Sequence, residues 1–230
     1  MNPSPTPAVA DATQLCAAAC PRVHDLLLPR DARALHWQDA RPDWAPAALH
    51  AAPWVVVRRE VSRDGRLAVG VRGDTRARRA AAWLAAEEVR RVLRPSELRR
   101  LARGLVASRA ALAAFVALRQ LELAWGAGAG PADWGPGGSA GFELASGCDT
   151  VGPHSDLDVV VRCAQAPSLQ HARAWLRALP AQPAARIDVL LEWPQGGAAL
   201  ADYAGGGEYL LRGERGVVLS RHAGHAMEAA

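Results

Sequence analysis

The sequence predicts an α+β protein built in two parts, and three observations point there. Residues 54–61 form a β-branched run, Arg63-Asp64-Gly65-Arg66 carries the Asp-Gly pair of a tight turn, and residues 67–73 return as a second apolar run. Together they predict a β-hairpin. Gly126-Ala127-Gly128-Ala129-Gly130-Pro131 then breaks the chain. Beyond the break, apolar runs at 156–162 and 185–192 flank a helical segment at 168–179. That order predicts a mixed sheet with helices against it.

Residues 1–20 are rich in Pro and Ala and are expected to be poorly ordered. After the hairpin, Asp74 or Thr75 is placed to cap a helix running to Leu93, where Pro95 stops it. Ser96 is placed to cap a short second helix and Ser108 a third running to Leu123, in which Leu112, Phe115, Val116 and Leu123 share one face. In the second part Ser168 caps the helix at 168–179 and Pro180 ends it. Runs at 208–212 and 217–220 pair across a turn at 213–216. The chain therefore divides into a segment 1–20, a small α/β domain with the hairpin at 21–105, a second domain at 106–222 and a tail at 223–230.

The chain has 230 residues, half of them apolar and 22% charged, a globular balance. No apolar run reaches the roughly 18 to 20 residues of a membrane span. The opening residues lack the basic start and apolar core of a signal peptide. The four cysteines form no C-x-x-C pair. A cytoplasmic protein without membrane contact is the expectation. All 27 basic residues are arginine, which a GC-rich genome explains without any binding role. Their distribution is more informative. Residues 1–120 carry a net +9 and residues 121–230 a net −5, and 15 arginines against 6 acids fall between Arg58 and Arg109. A basic half joined to an acidic half asks for an anionic ligand or partner.

The chemistry concentrates between residues 134 and 192. In a strand, residues two apart face the same way, so Asp156 and Asp158 project together while Leu157 and Val159 face a core. Two neighbouring ionised carboxylates repel, so one protonates or a cation sits between them. Oxygen-only donors favour Mg²⁺ or Mn²⁺. Asp188 interrupts the next apolar run. If that run lies beside the first, three aspartates can hold two metals and the phosphates they bridge. Upstream, Gly138 lets the backbone approach a phosphate, and Ser139 with the amides of a following short helix can donate to its oxygens. Asp-x-Asp or Gly-Ser alone is a common surface pattern; the ordered combination is what points to phosphate chemistry.

The order Gly-Ser, Asp-x-Asp, Asp resembles the nucleotidyltransferase superfamily of DNA polymerase β type, over about residues 131–195. A narrower resemblance rests on Trp134-Gly135-Pro136-x-Gly138-Ser139-x-Gly141-Phe142-Glu143-Leu144-Ala145-x-Gly147 followed by Ser155-Asp156-Leu157-Asp158. This run is similar to the malonate decarboxylase holo-acyl-carrier-protein synthases, also called phosphoribosyl-dephospho-CoA transferases. Upstream, His24-Asp25-Leu26-Leu27 and Val71-Arg72-Gly73-x-x-Arg76-x-x-Arg79 resemble that family's amino-terminal region.

The resemblance implies that 106–222 is a polymerase-β-like catalytic domain and 21–105 a basic substrate- or carrier-binding domain. It implies transfer of phosphoribosyl-dephospho-CoA from triphosphoribosyl-dephospho-CoA to a serine of the apo acyl-carrier subunit of malonate decarboxylase, with pyrophosphate leaving. Asp156 and Asp158 would be Mg²⁺ (or Mn²⁺) ligands, Asp188 a third ligand and candidate base, and Gly138 and Ser139 the triphosphate clamp. Arg72, Arg76 and Arg79 are candidate phosphate contacts, since the guanidinium fork donates two hydrogen bonds at once; a solvated helix surface is the plainer account of Arg76 and Arg79. The stretch at 148–154, His154 and the pair His24-Asp25 receive no assignment. Two other readings stand beside this one: a nucleotidyltransferase that attaches NMP to another protein, RNA or small molecule, and a non-catalytic nucleic-acid-binding module, which the three intact aspartates disfavour.

Overall fold

Strand pairing organises the first part. The computed structural model describes residues 20–222 except Arg76 and Ala127. In it β1 (Leu26–Pro29), β2 (His36–Trp37), β3 (Val55–Val57), β4 (Arg66–Arg72), β5 (Arg79–Ala85) and β6 (Val89–Leu93) form an antiparallel sheet in the order β2-β5-β4-β3-β1-β6. The expected hairpin is present, with Val55 opposite Val71 and Val57 opposite Val69. Asp64 and Gly65 both take positive φ, 50° and 71°, as a tight turn of the mirror-image type requires. One face of the sheet packs Val55, Val57, Val69, Val71 and Leu84 against Leu49 of α1 (Ala45–Ala51).

The helix expected at 74–93 does not form. That stretch is β5 and β6, joined by a short 3₁₀ turn at Ala86–Glu88. β5 pairs with β4 residue for residue, from Arg66 opposite Ala85 to Arg72 opposite Arg79. Burying Ala82 and Leu84 beside Val69 on a paired strand outweighs the alanine preference for helix, which amounts to only a few tenths of a kcal/mol per residue.

The second sheet comprises β7 (Asp133–Pro136), β8 (Leu157–Arg162), β9 (Ile187–Trp193), β10 (Gly196–Ala199), β11 (Glu208–Gly213) and β12 (Gly216–Arg221), in the order β12-β11-β10-β9-β8-β7. β8 and β9 run parallel; the other pairs are antiparallel. Helices α2 (Pro95–Leu101), α3 (Ala107–Ala110), α4 (Ala113–Gly126), α5 (Gly138–Ser146), α6 (Leu169–Arg177) and α7 (Leu200–Gly205) complete this part. α2 begins earlier than Ser96 suggested: Pro95 sits in its first turn, and Glu97 reaches back to the amide of Arg94 at 2.9 Å. The buried face of α4 is Phe115, Leu118, Leu121 and Trp125, while Leu123, expected on that face, is 81% exposed. Phe115 and Leu123 are eight residues apart on the same helix, which turns Leu123 about 80° from Phe115 and away from Leu118, Leu121 and Trp125. Ser168 caps α6 as expected, accepting from the His171 amide at 3.2 Å.

Alternation sorts the two central strands. Leu157, Val159 and Val161 of β8 and Val189, Leu191 and Trp193 of β9 enter the core with Phe115, Leu118 and Leu121. The intervening residues, Asp158, Val160 and Arg162 on β8 and Asp188, Leu190 and Glu192 on β9, lie on the opposite face. That face is turned toward the first sheet. A separate cluster joins the parts: Leu26, Trp54 and Leu93 pack on Leu98 of α2 and Phe142 of α5. Among the described residues no helix is long and apolar enough to cross a membrane.

Candidate active site

The glycine loop forms because β7 ends at Pro136 and α5 starts at once. Gly138 has φ of +51°, a backbone that favours glycine. The Gly137 amide donates to the Asp158 carbonyl at 2.9 Å. A Cβ placed on Gly138 would overlap the Asp158 carboxylate and stand 2.7 Å from its Cγ. The loop and the second aspartate of the Asp-x-Asp pair are thus in direct contact. Ser139 occupies the first turn of α5, and its carbonyl accepts from Thr150 Oγ1 at 2.9 Å.

Glu143 explains the stretch at 148–154. It is buried, and it accepts from Arg109 Nε at 2.8 Å and Nη2 at 2.7 Å and from the Thr150 and Val151 amides, both at 2.8 Å. Burial pushes its carboxyl up, but the Arg109 guanidinium and the two amides pull it, on balance, below the ordinary glutamate range. Glu143 is therefore structural: it anchors to α5 the loop that leads to Asp156. His154, on the same loop, is exposed.

Asp158 and Asp188 are register partners on the parallel β8–β9 pair, so both carboxylates leave the same face of the sheet side by side. Asp156 stands one residue before β8 and is exposed. Asp188 accepts from Arg186 Nε at 2.9 Å and Nη2 at 2.7 Å. The hydrogen bond to Asp188, then the fields of Asp188, Asp156 and Asp158, hold the Arg186 guanidinium more firmly protonated than usual. Among the described residues no three His, Cys, Asp or Glu side chains are gathered into a ready metal cluster. The donor set still fits Mg²⁺ in kind: oxygen-only carboxylates at neighbouring strand ends beside a glycine cradle.

Between this strand end and the first sheet lies a cavity of about 1000 Å³. Gly137, Gly138, Phe142 and Leu190 line one side, and Val56, Gly70, Arg72, Arg79 and Ala81 the other. Of the expected phosphate contacts, Arg72 lies over the Phe142 ring at 5.5 Å and Arg79 faces the same cavity from the paired strand; Arg76 lies outside the described residues. Three further arginines line it, Arg58, Arg59 and Arg212. Arg58 and Arg59 directly follow the buried strand β3 and are not marked by any motif; a dibasic pair closing an apolar strand was the available signal.

At the far end His24 and Asp25 find their partners. His24, at φ +70°, donates from Nε2 to Glu192 at 3.0 Å, and Arg59 also pairs with Glu192. Asp25 accepts from Arg162 Nη2 at 2.8 Å, and both side chains are almost wholly buried. Arg162 and Glu192 are register partners at the ends of β8 and β9. The pair therefore clamps the first sheet onto the second. Trp134 is buried edge-on against Trp125 at 5.0 Å, as a packing residue.

The sequence model of the phosphoribosyl-dephospho-CoA transferase MdcG C-terminal domain matches residues 97–223, and that of the MdcG N-terminal domain matches residues 22–95. A phosphoribosyl-dephospho-CoA transferase of Azotobacter vinelandii is 39% identical over 191 residues, 80% of this chain and 84% of that protein. Its counterpart in Pseudomonas putida strain W619 is 38% identical, covering 84% of this chain and 89% of the relative. The one in Klebsiella pneumoniae strain 342 is 35% identical over 92% of this chain and 100% of its own length. No solved structure matches the chain.

Proposed function

The chain belongs to the phosphoribosyl-dephospho-CoA transferase MdcG family, and from that premise we propose that it moves phosphoribosyl-dephospho-CoA from triphosphoribosyl-dephospho-CoA to a serine of the apo acyl-carrier subunit of malonate decarboxylase. It acts as a cytoplasmic enzyme. The serine oxygen attacks the phosphorus nearest the ribose. A phosphodiester bond forms, the bond to the next phosphate breaks, and pyrophosphate leaves. The proton of the serine hydroxyl passes to a carboxylate, for which Asp188 stands on the strand beside Asp158.

The observation that supports this most is the contact between Gly138 and Asp158. It puts amides able to hold phosphate oxygens against a carboxylate able to hold a cation. Asp156, Asp158 and Asp188 would hold Mg²⁺, which when bound neutralises charge on the phosphates. Gly138 and Ser139 orient the triphosphate, and Arg186, which donates to Asp188, holds that carboxylate in place. Arg72 and Arg79 supply guanidinium groups from the facing sheet.

Intact mass spectrometry of the apo carrier subunit, incubated with this protein, triphosphoribosyl-dephospho-CoA and Mg²⁺, tests the reading. A mass gain equal to the precursor less pyrophosphate, absent with Asp156→Asn, is expected. No gain, with ATP labelling another acceptor instead, would move the function to NMP transfer.

A further inference from the structure

Resting on that reading, we infer that the cavity between the two sheets holds the dephospho-CoA portion of the donor, and that the arginines of the first sheet serve the donor and not the carrier. Size comes first. A cavity of about 1000 Å³ lies at the upper end for organic ligands and far exceeds what a triphosphate alone would fill. Its walls are of two kinds. Leu26, Val56, Leu98 and Phe142 give an apolar surface, against which an uncharged pantetheine arm can lie. Arg58, Arg59, Arg72, Arg79 and Arg212 line it; Arg58 pairs with Glu60 and Arg59 with Glu192, and with Glu214 counted the arginines still outnumber the acids, which leaves the cavity basic.

The space is made by small residues facing each other. Gly70 and Ala81 are register partners on the first sheet, and Gly137 and Gly138 lie across from them on the second part. Arg72 and Arg79, the next pair on the same face, flank that smooth patch. A Cβ on Gly70 would lie 3.4 Å from Arg58 Cδ, so Arg58 borders it on the other side.

The direction follows from the strands. Phe142 is one helical turn beyond Gly138, and Arg72 lies over it, close to the phosphate loop. From Asp188 the cavity face of β9 runs through Leu190 to Glu192, where Arg59 and His24 sit. That is four residues, about 13 Å of strand. The donor has the same two-ended pattern, a triphosphate and a CoA diphosphate separated by two sugars. The first belongs at Gly138 and the second deeper along the arginine wall. The carrier serine then approaches from outside, where Asp156 and Asp158 are exposed. An acidic carrier docked on Arg72 and Arg79 would have to enter the cavity instead.

Two variants test this in the full-length protein. Arg79→Ala removes an exposed guanidinium; Gly70→Leu fills the patch without changing charge. The expected result is a rise of about tenfold in KM for the donor with both, with KM for the carrier unchanged. Calorimetry with dephospho-CoA, which lacks the triphosphate, should show binding to wild type and to Asp156→Asn, and at least tenfold weaker binding to Arg79→Ala. A rise in carrier KM instead, or transfer that proceeds while dephospho-CoA neither binds nor competes, would overturn the inference and leave the transferase reading standing. Dephospho-CoA binding that depends on Arg79 in a protein without transferase activity would support the cavity assignment and defeat that reading. If Gly70→Leu does not fold, the Arg79 measurements decide.

Discussion

Gly138 and Asp158 are in direct contact across the β7–α5 turn, so closely that position 138 has no room for a side chain. Gly138→Ala would meet both this overlap and the positive φ of 51°. The carboxylate or the loop must shift by about an ångström, and displacement of that order in a positioned site costs on the order of a hundredfold in rate. We expect a drop of that size in kcat/KM for carrier modification. The positive φ also costs about 1 kcal/mol or more of stability, so rates are compared at a temperature where circular dichroism shows the variant folded. A variant within threefold of wild type would show that the contact has no part in catalysis.

The three aspartates carry the next prediction. Asp156→Asn and Asp158→Asn each keep the side-chain shape but remove charge, and each should lower kcat by at least about a hundredfold while circular dichroism is unchanged. Activity should vanish with a chelator and return on adding Mg²⁺. Asp188→Asn should behave similarly, and it also loses the strong partner of Arg186. Turnover that survives chelation would remove the metal from the reaction.

Much of this site was legible in the sequence. Alternation at 156–162 put Asp156 and Asp158 on one face and left Asp188 to the next strand; the parallel pairing of β8 with β9 makes Asp158 and Asp188 neighbours, while Asp156 stands just before the strand. Local signals also gave the 63–66 turn and the Ser168 cap, because each depends on residues a few positions apart. The first sheet was harder. Ala80-Ala81-Ala82 favours helix locally, and only the neighbouring strands β4 and β2 make it a strand. The clamp was out of reach for the same reason: His24 and Glu192 are 168 positions apart, and no short-range pattern pairs them.

Glu143 gives a pH prediction. Its carboxyl titrates below the ordinary glutamate range in the folded state. A lowered carboxylate pKa adds stability above the unfolded value, and that contribution is lost as pH falls through the folded value. Glu143→Gln keeps the shape but turns an amide toward the donors Thr150 and Val151, which at neutral pH should cost about 1–3 kcal/mol. The gap between variant and wild type in urea denaturation should narrow below about pH 4.3. A gap that stays constant down to acid would mean that the carboxylate is not stabilised by Arg109 and the two amides.

The buried pair Asp25–Arg162 makes the sharpest stability prediction. The side chains are 0% and 2% exposed, and Arg162 Nη2 also donates to the Val23 carbonyl at 2.8 Å. Asp25 in turn accepts from the Arg22 amide at 2.8 Å. Asp25→Ala strands the guanidinium at the joint between the sheets, with one carbonyl left to receive it. Removing one partner of a buried pair typically costs about 3–5 kcal/mol, far more than an exposed pair such as Arg33–Asp31. Chemical denaturation should show that loss. The clamp is also one wall of the cavity, since His24 and Arg59 line it. If the joint loosens before the chain unfolds, donor KM should rise in Asp25→Ala at temperatures where circular dichroism still reports a folded protein. A loss below 1 kcal/mol would mean that water reaches Arg162 readily and that the two parts are held by the Leu26, Leu98 and Phe142 cluster instead.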